Sequence, residues 1–132
     1  MMKHLSKLVP LIAVSAVLVL AVLPASAPAN PVAGSISFAG SGTLLSNGTV
    51  DVPLHYYCLP PSPGEIGVEL DEGGTGFGAT FSILATCDGR NHSVTVNVAG
   101  GPFTPGTATG NAFVFNFDAQ VVAETSEKVT IK

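Results

Sequence analysis

The chain contains the residue types that serine hydrolases use, so the first question is whether their spacing lets them act together. His55 and His92 each follow an aspartate by four residues, Asp51 and Asp88, and serines occur throughout. A serine hydrolase needs a nucleophile, a base and an orienting carboxylate, and many place the serine in a Gly-x-Ser-x-Gly turn. The sequence has no such turn. We therefore expect no catalytic residues, with His92 hydrogen-bonded to its own turn and His55 on an outer face.

Acidic residues gather in the segment 65–72, which is a pattern to test for a cation site or a glycosidase. Glu65, Glu69 and Asp71 share one face of a predicted strand, and Glu72 adjoins them. The sequence contains no Asp-x-Asp-x-Asp-Gly calcium loop, and the glycine-rich run 73–76 lacks the Lys-Ser/Thr pair of a phosphate loop. Glycosidase carboxylates need a cleft, which a small sandwich rarely provides. We expect a solvated acidic face, with no metal and no cofactor.

The two cysteines, Cys58 and Cys87, each end a row of alternating residues that we predict to face the core. The two rows are Val50, Val52, Leu54, Tyr56 and Cys58, and Ala79, Phe81, Ile83, Ala85 and Cys87. If the intervening connections are local, both rows end at the same end of the fold. A metal site would need more ligands than two cysteines, and no Cys-x-x-Cys pair is present. We predict one disulfide between Cys58 and Cys87.

Residues 1–29 have the pattern of a secretory signal peptide of bacterial type. Lys3 and Lys7 precede an apolar run over 8–23, and small residues follow at 25–29. We place the cleavage after Ala29, because a cut after Ala27 would leave Pro28 first, without an amide for the protease to bind. An uncleaved membrane anchor is the alternative, but the apolar run is short for a bilayer span. The sequence thus predicts a secreted domain over 30–132, with no stable membrane span after cleavage.

The predicted domain is acidic and of the size of one fold. Nine carboxylates face Arg90, Lys128 and Lys132, so residues 30–132 carry a net charge near −6. An acidic surface without a basic stripe argues against nucleic acid and against anionic membrane as partners. The abundance of apolar residues excludes disorder, and the domain's 15 glycines and seven of the chain's 10 prolines suit many turns between short strands.

Period-two alternation recurs along residues 30–132, and no helical pattern is present there. The predicted strands are 35–43, 49–58, 65–71, 79–87, 92–99, 107–118 and 128–132. Asn47-Gly48 is a strong hairpin signal between the first two. For residues 119–126, strand and loop both stay open. The count and spacing predict an all-β fold, an antiparallel seven-stranded immunoglobulin-like sandwich with one disulfide, whose strand order we leave unassigned.

Four residues are candidates for a binding surface. Phe77 and Phe103 lie in predicted loops rich in glycine and proline, where they either cap the ends of the core or form an exposed aromatic surface. His55 and Tyr57 lie two apart, on one outer face of the second predicted strand.

Several short stretches of the chain form a set with a recognisable pattern. They are Asn47-Gly48-Thr49-Val50, Tyr57-Cys58, Cys87-Asp88-Gly89, His92-Ser93-Val94-Thr95-Val96, Phe103-Thr104-Pro105-Gly106-Thr107-Ala108 and Val129-Thr130-Ile131. In this set the chain resembles small secreted β-sandwich proteins of actinobacteria whose function is unknown. The resemblance implies a leader, a sandwich and one disulfide, and it implies no activity. A weaker likeness is to the secreted actinomycete apoproteins that carry enediyne chromophores, which are similar in size and architecture but use two disulfides.

Three functional hypotheses follow from these observations. The first is a secreted, non-catalytic module that binds a protein or a component of the cell envelope. The second is a carrier of a small ligand, which requires an apolar pocket open to solvent. The third is a small hydrolase, which requires a histidine beside a nucleophile and a carboxylate in a concavity.

Overall fold

Eight β-strands build the part of the chain that the computed structural model describes, residues 32–132. In chain order they are β1 (Gly34–Phe38), β2 (Thr43–Leu44), β3 (Val50–Cys58), β4 (Gly64–Asp71), β5 (Phe77–Ala85), β6 (Asn91–Val98), β7 (Gly106–Phe115) and β8 (Val121–Ile131). The predicted all-β fold is confirmed over these residues. The predicted signal peptide, residues 1–29, lies outside them. Within the described range, no helix has the length and apolarity that crossing a membrane requires.

The strands form two sheets of four. In the first sheet β3 is central, with β1 and β2 along one edge and β6 along the other. In the second sheet the order is β5-β4-β7-β8, and the named strands pair antiparallel throughout. Gly42 forms a parallel bridge with Ile131, and its amide donates to the Thr130 carbonyl at 2.8 Å. This bridge ties one edge of the first sheet to β8 of the second.

The core is built from alternate residues of the strands, because successive side chains of a strand point to opposite faces of its sheet. The predicted inward row of β3 is confirmed, since its residues are buried from Val50 to Cys58. The same alternation buries one side of β4 and of the end of β8, with Ile66, Val68, Leu70, Val129 and Ile131 in the core. Among the described residues, none of the buried side chains is polar or charged apart from the Tyr56 hydroxyl.

A β-bulge in β5 makes the predicted alternation of that strand wrong in part. Gly67 of β4 lies opposite both Phe81 and Ser82, and Ser82 adopts a left-handed backbone with φ 66°. An extra residue reverses the facing of every residue on one side of it. Ala85 and Cys87 are buried as predicted, but Phe81, predicted to point inward, is 45% exposed. Ala79 pairs with Glu69, a residue of the outer face.

Several predicted strand limits also change. The first predicted strand, 35–43, divides into β1 and β2 because residues 39–42 leave the ladder, so the described chain has eight strands and not seven. Of residues 119–126, for which the sequence allows strand or loop, 121–126 belong to β8 and 119–120 precede it in the turn. β7 ends at Phe115, and Phe117 therefore lies in the following turn. There the Asn116 carboxamide oxygen accepts the amides of Asp118 and Gln120, both at 2.9 Å.

The predicted disulfide is confirmed and joins the two sheets. Cys58 ends β3 in the first sheet, and Cys87 follows β5 of the second, with their Cα atoms 4.6 Å apart. Both cysteines are buried. The segment around Cys87 is held by two further bonds, because the Thr86 amide donates to the Tyr56 hydroxyl at 2.9 Å and the Cys87 amide to Ser62 Oγ at 3.1 Å. The disulfide therefore fastens one end of the core.

Candidate functional site

The outer face of the second sheet carries a contiguous patch of aromatic and aliphatic side chains. Residues directly opposite each other on antiparallel strands project on the same side of the sheet. One such row across the four strands is Leu84, Glu65, Phe115 and Val121. The next row is Phe81 at the bulge, Gly67, Phe113 and Glu124. We call Phe81, Leu84, Phe113, Phe115 and Val121 the aromatic face.

Three of the five side chains of the aromatic face are exposed, and the other two are partly so. Leu84 is 71% exposed, Val121 49% and Phe81 45%, and Phe113 and Phe115 are half-buried. The core between the sheets is complete without them, so their burial is not what folds the domain. A contiguous exposed apolar patch on a small domain is a mark of an interaction site.

The rings of the aromatic face contact one another in a chain. The ring centroids of Phe81 and Phe113 lie 6.4 Å apart with the planes inclined by 24°, and those of Phe113 and Phe115 lie 6.2 Å apart with an inclination of 34°. These separations are those at which aromatic pairs attract each other. The three rings therefore support one another and form a shared surface.

Gly67 makes room for the Phe81 ring on the sheet. A Cβ atom at position 67 would overlap the Phe81 ring, so any side chain there would displace it. The bulge at Ser82 turns Phe81 outward, and the missing side chain of Gly67 lets the ring lie across β4 towards Phe113. An aromatic that covers a strand glycine also stabilises the sheet. Phe81 therefore has a structural role in addition to its exposed position.

Carboxylates are interleaved with the aromatic face. Glu65 lies between Leu84 and Phe115 in its row, and Glu124 lies directly opposite Phe113. Glu69 follows in the next row. The face is therefore apolar and acidic at once.

Two further exposed phenylalanines lie at opposite ends of this sheet. Phe77, a predicted binding residue, is 56% exposed, but it is the first residue of β5 and not part of a loop. It pairs with Asp71 at the end of the sheet away from Leu84. Phe117, also 56% exposed, lies in the β7–β8 turn beyond Phe115. The aromatic face thus lies near the Phe117 end.

The other predicted binding residues, His55 and Tyr57, lie on the outer face of the first sheet, on the opposite side of the domain. His55 is exposed and Tyr57 is half-buried. An open depression of about 580 Å³ lies beside His55. It is lined by Ser35, Ile36, Ser37, His55, Tyr56, Asn91, His92 and Ser93. Most of these residues are polar, so the depression differs from the apolar pocket that a carrier of a hydrophobic ligand needs.

His55 and His92 each have a hydrogen-bond partner, but within residues 32–132 neither belongs to a catalytic triad. His55 Nδ1 lies 3.0 Å from Ser93 Oγ, and among the described residues no carboxylate is hydrogen-bonded to His55. His92 Nε2 lies 2.8 Å from Asp88 Oδ1, which confirms the predicted bond of His92 with its own turn. This bond lowers the pKa of Asp88, and the backbone amide of Arg90 lowers it further. The arrangement at Asp88 stabilises a turn.

Phe103 is not part of an exposed surface, so its place among the predicted binding residues is corrected. It is 3% exposed, and it packs into the core from the β6–β7 loop. Its amide donates to the Gly48 carbonyl at 3.2 Å, which holds the loop against the β2–β3 turn. The alternative prediction, that Phe103 caps one end of the core, describes its position.

Within residues 32–132, no group of three or more histidine, cysteine, aspartate or glutamate side chains is arranged to hold a metal ion.

Comparison of the chain with protein-family models gave no match, and comparison with curated proteins gave none either. The chemistry of the described surface therefore carries the functional argument.

The sequence predictions missed the aromatic face although part of its signal was visible. Phe113 and Phe115 alternate with Ala112 and Val114, so both sides of β7 are apolar. When both sides of an antiparallel strand are apolar, either other elements cover both sides or one apolar side is exposed to solvent. Phe81 could not be assigned to this face, because alternation without the bulge places it inside.

Proposed function

We propose that residues 30–132 form an exported, non-catalytic module that binds a macromolecule through the aromatic face. One observation carries the proposal: the connected rings of Phe81, Phe113 and Phe115 lie on one sheet face with Leu84 and Val121, and Phe81, Leu84 and Val121 are exposed while the other two rings are half-buried. Aromatic residues are enriched in the centres of protein interfaces because a rigid ring buries a large area at little entropic cost. The partner is a protein or a component of the cell envelope.

Export and an immunoglobulin-like arrangement are parts of the same proposal. The basic and apolar pattern of residues 1–29 supports export, and a buried disulfide is typical of proteins from oxidising compartments. The strand order supports an immunoglobulin-like fold, since β1, β3 and β6 would match strands A, B and E, and β5-β4-β7-β8 would match C′-C-F-G. In that correspondence the disulfide joins strands B and C′, where antibody domains join B and F.

A hydrolase and a small-ligand carrier fit the described surface less well. A hydrolase would depend on His55 and Ser93, but the described residues supply no carboxylate to orient the His55 ring. A carrier would depend on the depression beside His55, which is open and lined for the most part by polar residues. Binding by the aromatic face needs neither a catalytic group nor an enclosed pocket.

The proposal is tested by retention experiments with protein produced from the full-length chain. Wild type, Phe81→Ala and Tyr57→Ala would be mixed with an insoluble cell-wall preparation and, separately, with immobilised proteins of the culture supernatant. Tyr57→Ala is the matched control, since it removes an aromatic ring from the outer face of the first sheet. We expect wild type and Tyr57→Ala to be retained on one of the two fractions and Phe81→Ala to be lost.

Either of two results would reject the proposal. Retention that survives Phe81→Ala but is lost in Tyr57→Ala would place binding on the first sheet. Absence of retention for wild type on both fractions would remove the binding function. Circular dichroism and thermal melting of each variant show whether a loss reflects unfolding, and Leu84→Ala, a truncation at the most exposed position of the face, provides a second probe.

A further inference from the structure

We propose that the aromatic face binds a protein surface on which apolar side chains alternate with lysine or arginine. The inference rests on the proposed function, because it names the chemical class of the partner for the same face.

The carboxylates of the face determine which partner can cover it. Glu65 is exposed and lies between Leu84 and Phe115 in its row, so a partner that covers these two side chains also covers Glu65. Glu124 is covered together with Phe113 in the same way. A carboxylate taken out of water without a compensating charge is strongly unfavourable. Lysine or arginine on the partner supplies that charge, and an arginine can also stack on the phenylalanine rings.

A second copy of the chain is a poor occupant of the face. In a twofold dimer the same patch meets itself, so Glu65 and Glu124 of one copy would lie within the patch that holds the same carboxylates of the other. The one cation in the described rows of this sheet face is Lys128, which lies near the Phe77 end in the row of Asp71 and Thr109. Like charges buried together would oppose the association.

A polysaccharide or a nucleic acid also fits the face less well than a basic protein surface. Sugar hydroxyls can donate hydrogen bonds to Glu65 and Glu124, but they leave both negative charges uncompensated. Nucleic acid would bring phosphates to an acidic domain with a net charge near −6. The apolar side chains and the carboxylates of the face therefore together favour a partner that is both apolar and cationic.

The partner approaches the face and not the edge of the sheet. β5 is an edge strand of the second sheet, and the bulge with its left-handed Ser82 interrupts the ladder beside Phe81 and Leu84. Bulges of this kind hinder the addition of a further strand. Side-chain contacts, rather than an added strand, are then the mode of binding.

Three synthetic peptides of equal length test the inference against protein produced from the full-length chain. One alternates lysine with leucine, one consists of lysine alone, and one alternates glutamine with leucine. Fluorescence anisotropy of labelled peptides gives the dissociation constants. We expect the Lys-Leu peptide to bind at least about tenfold more tightly than either of the others, since a tenfold ratio corresponds to about 1.4 kcal/mol, the scale of one good interface contact.

Matched variants separate the face from general attraction. Phe81→Ala and Glu65→Gln should each weaken binding of the Lys-Leu peptide by about threefold to tenfold, whereas Tyr57→Ala and Asp51→Asn should leave it within about twofold. Asp51→Asn removes the same unit of charge as Glu65→Gln but from the first sheet, where Asp51 accepts a bond from Asn97. Leu84→Ala serves as a second apolar probe if Phe81→Ala lowers the melting temperature.

Each of the following outcomes would reject the basic partner, and they differ in whether the proposed function of the aromatic face is rejected as well. Equal binding of the Lys-Leu and Gln-Leu peptides, or equal loss in Asp51→Asn and Glu65→Gln, would remove the role of the carboxylates of the face. Retention on cell-wall polysaccharide that depends on Phe81, without binding of the Lys-Leu peptide, would leave the proposed function and reject the basic partner. A dimer in analytical ultracentrifugation that Phe81→Ala abolishes would make a second copy the occupant. If Phe81→Ala changed neither retention, nor peptide binding, nor oligomeric state, both proposals would be rejected.

Discussion

At the scale of single residues, Tyr56 shows how one side chain serves both packing and polar satisfaction. It is 6% exposed, its ring stacks on His92 at a centroid distance of 5.4 Å, and its hydroxyl accepts the Thr86 amide at 2.9 Å. The bond joins β3 to the segment that leads to Cys87. The neighbouring Tyr57 points to the outside, and within residues 32–132 its hydroxyl has no hydrogen-bond partner.

Tyr56→Phe should destabilise the domain by about 1–2 kcal/mol, because the ring stays packed while the Thr86 amide loses its acceptor. Chemical denaturation with urea measures the free energy of unfolding. Tyr57→Phe is the matched control and should change that free energy by less than about 0.5 kcal/mol. Equal effects of the two substitutions would show that the Thr86 bond contributes little to stability.

The lowered pKa of Asp88 predicts that the stability of the folded domain depends on pH in the acid range. Its pKa lies below the ordinary value of 3.8, chiefly because of the bond with His92. A carboxyl group whose pKa is lower in the folded state stabilises that state when ionised, so this contribution is complete above pH 3.8 and is lost as the pH falls through the lowered pKa. The melting temperature of wild type should therefore fall more steeply in this range than that of Asp88→Asn. Parallel curves would contradict this role for Asp88.

At the scale of elements, the β2–β3 hairpin shows where a sequence signal and a backbone conformation agree. Gly48 has φ +85°, a region that side chains disfavour, and its amide donates to the Leu45 carbonyl at 2.9 Å. The Asn47 side-chain oxygen accepts the Thr49 amide at 3.1 Å and the Thr49 hydroxyl at 2.7 Å. These bonds close the turn and set the register of β3.

Gly48→Val should destabilise the domain by about 1–3 kcal/mol, because a β-branched residue is strained at this φ. Ser46→Ala, in the same turn but without a side-chain role in these bonds, should cost less than about 0.5 kcal/mol. Thermal unfolding followed by circular dichroism compares the two. The reverse ranking would mean that the turn does not depend on the backbone conformation of residue 48.

Much of the fold follows from the sequence, and the exceptions have local physical causes. Strict alternation identifies the buried side of β3 and β4, and it brings Cys58 and Cys87 to one end of the core. Alternation fails in β5, because a bulge is set by the backbone at Ser82 and leaves no mark in the pattern of apolar residues. The aromatic face was missed for that reason, since alternation places Phe81 inside, whereas its ring lies outside, over Gly67 and beside Phe113.

The sequence also could not predict whether an aromatic residue in a glycine- and proline-rich segment is buried or exposed. Phe77 and Phe103 have similar glycine- and proline-rich surroundings in the sequence, yet one begins a strand and is exposed while the other is buried. What distinguishes them is tertiary contact. The Phe103 amide bonds to Gly48 across the fold, and its ring fills the end of the core.

At the scale of the whole molecule, the disulfide is a covalent link between two sheets that also meet through apolar side chains, two isolated β-bridges and hydrogen bonds such as that from the Thr86 amide to the Tyr56 hydroxyl. The cysteines are 29 residues apart in the sequence. Closing a loop of that length restricts the unfolded chain and stabilises the fold by about 3.6 kcal/mol on loop-closure entropy alone. For a domain of this size, that is a large share of the usual free energy of unfolding.

The double substitution Cys58→Ala with Cys87→Ala should therefore lower the free energy of unfolding by about 2–5 kcal/mol. Urea denaturation of wild type with and without reductant provides the matched comparison without a change of sequence. Equal midpoints under the two conditions, with reduction verified by mass, would show that the link between the sheets does not limit stability.

The most direct test of the account maps where a basic, apolar ligand touches the domain. Backbone amide chemical shifts of isotopically labelled protein would be followed while the Lys-Leu peptide is added. The account predicts that the largest changes fall on the amides around Gly67, Phe81 and Phe113, in the second sheet. Changes centred on His55 and Tyr57 in the first sheet would contradict it.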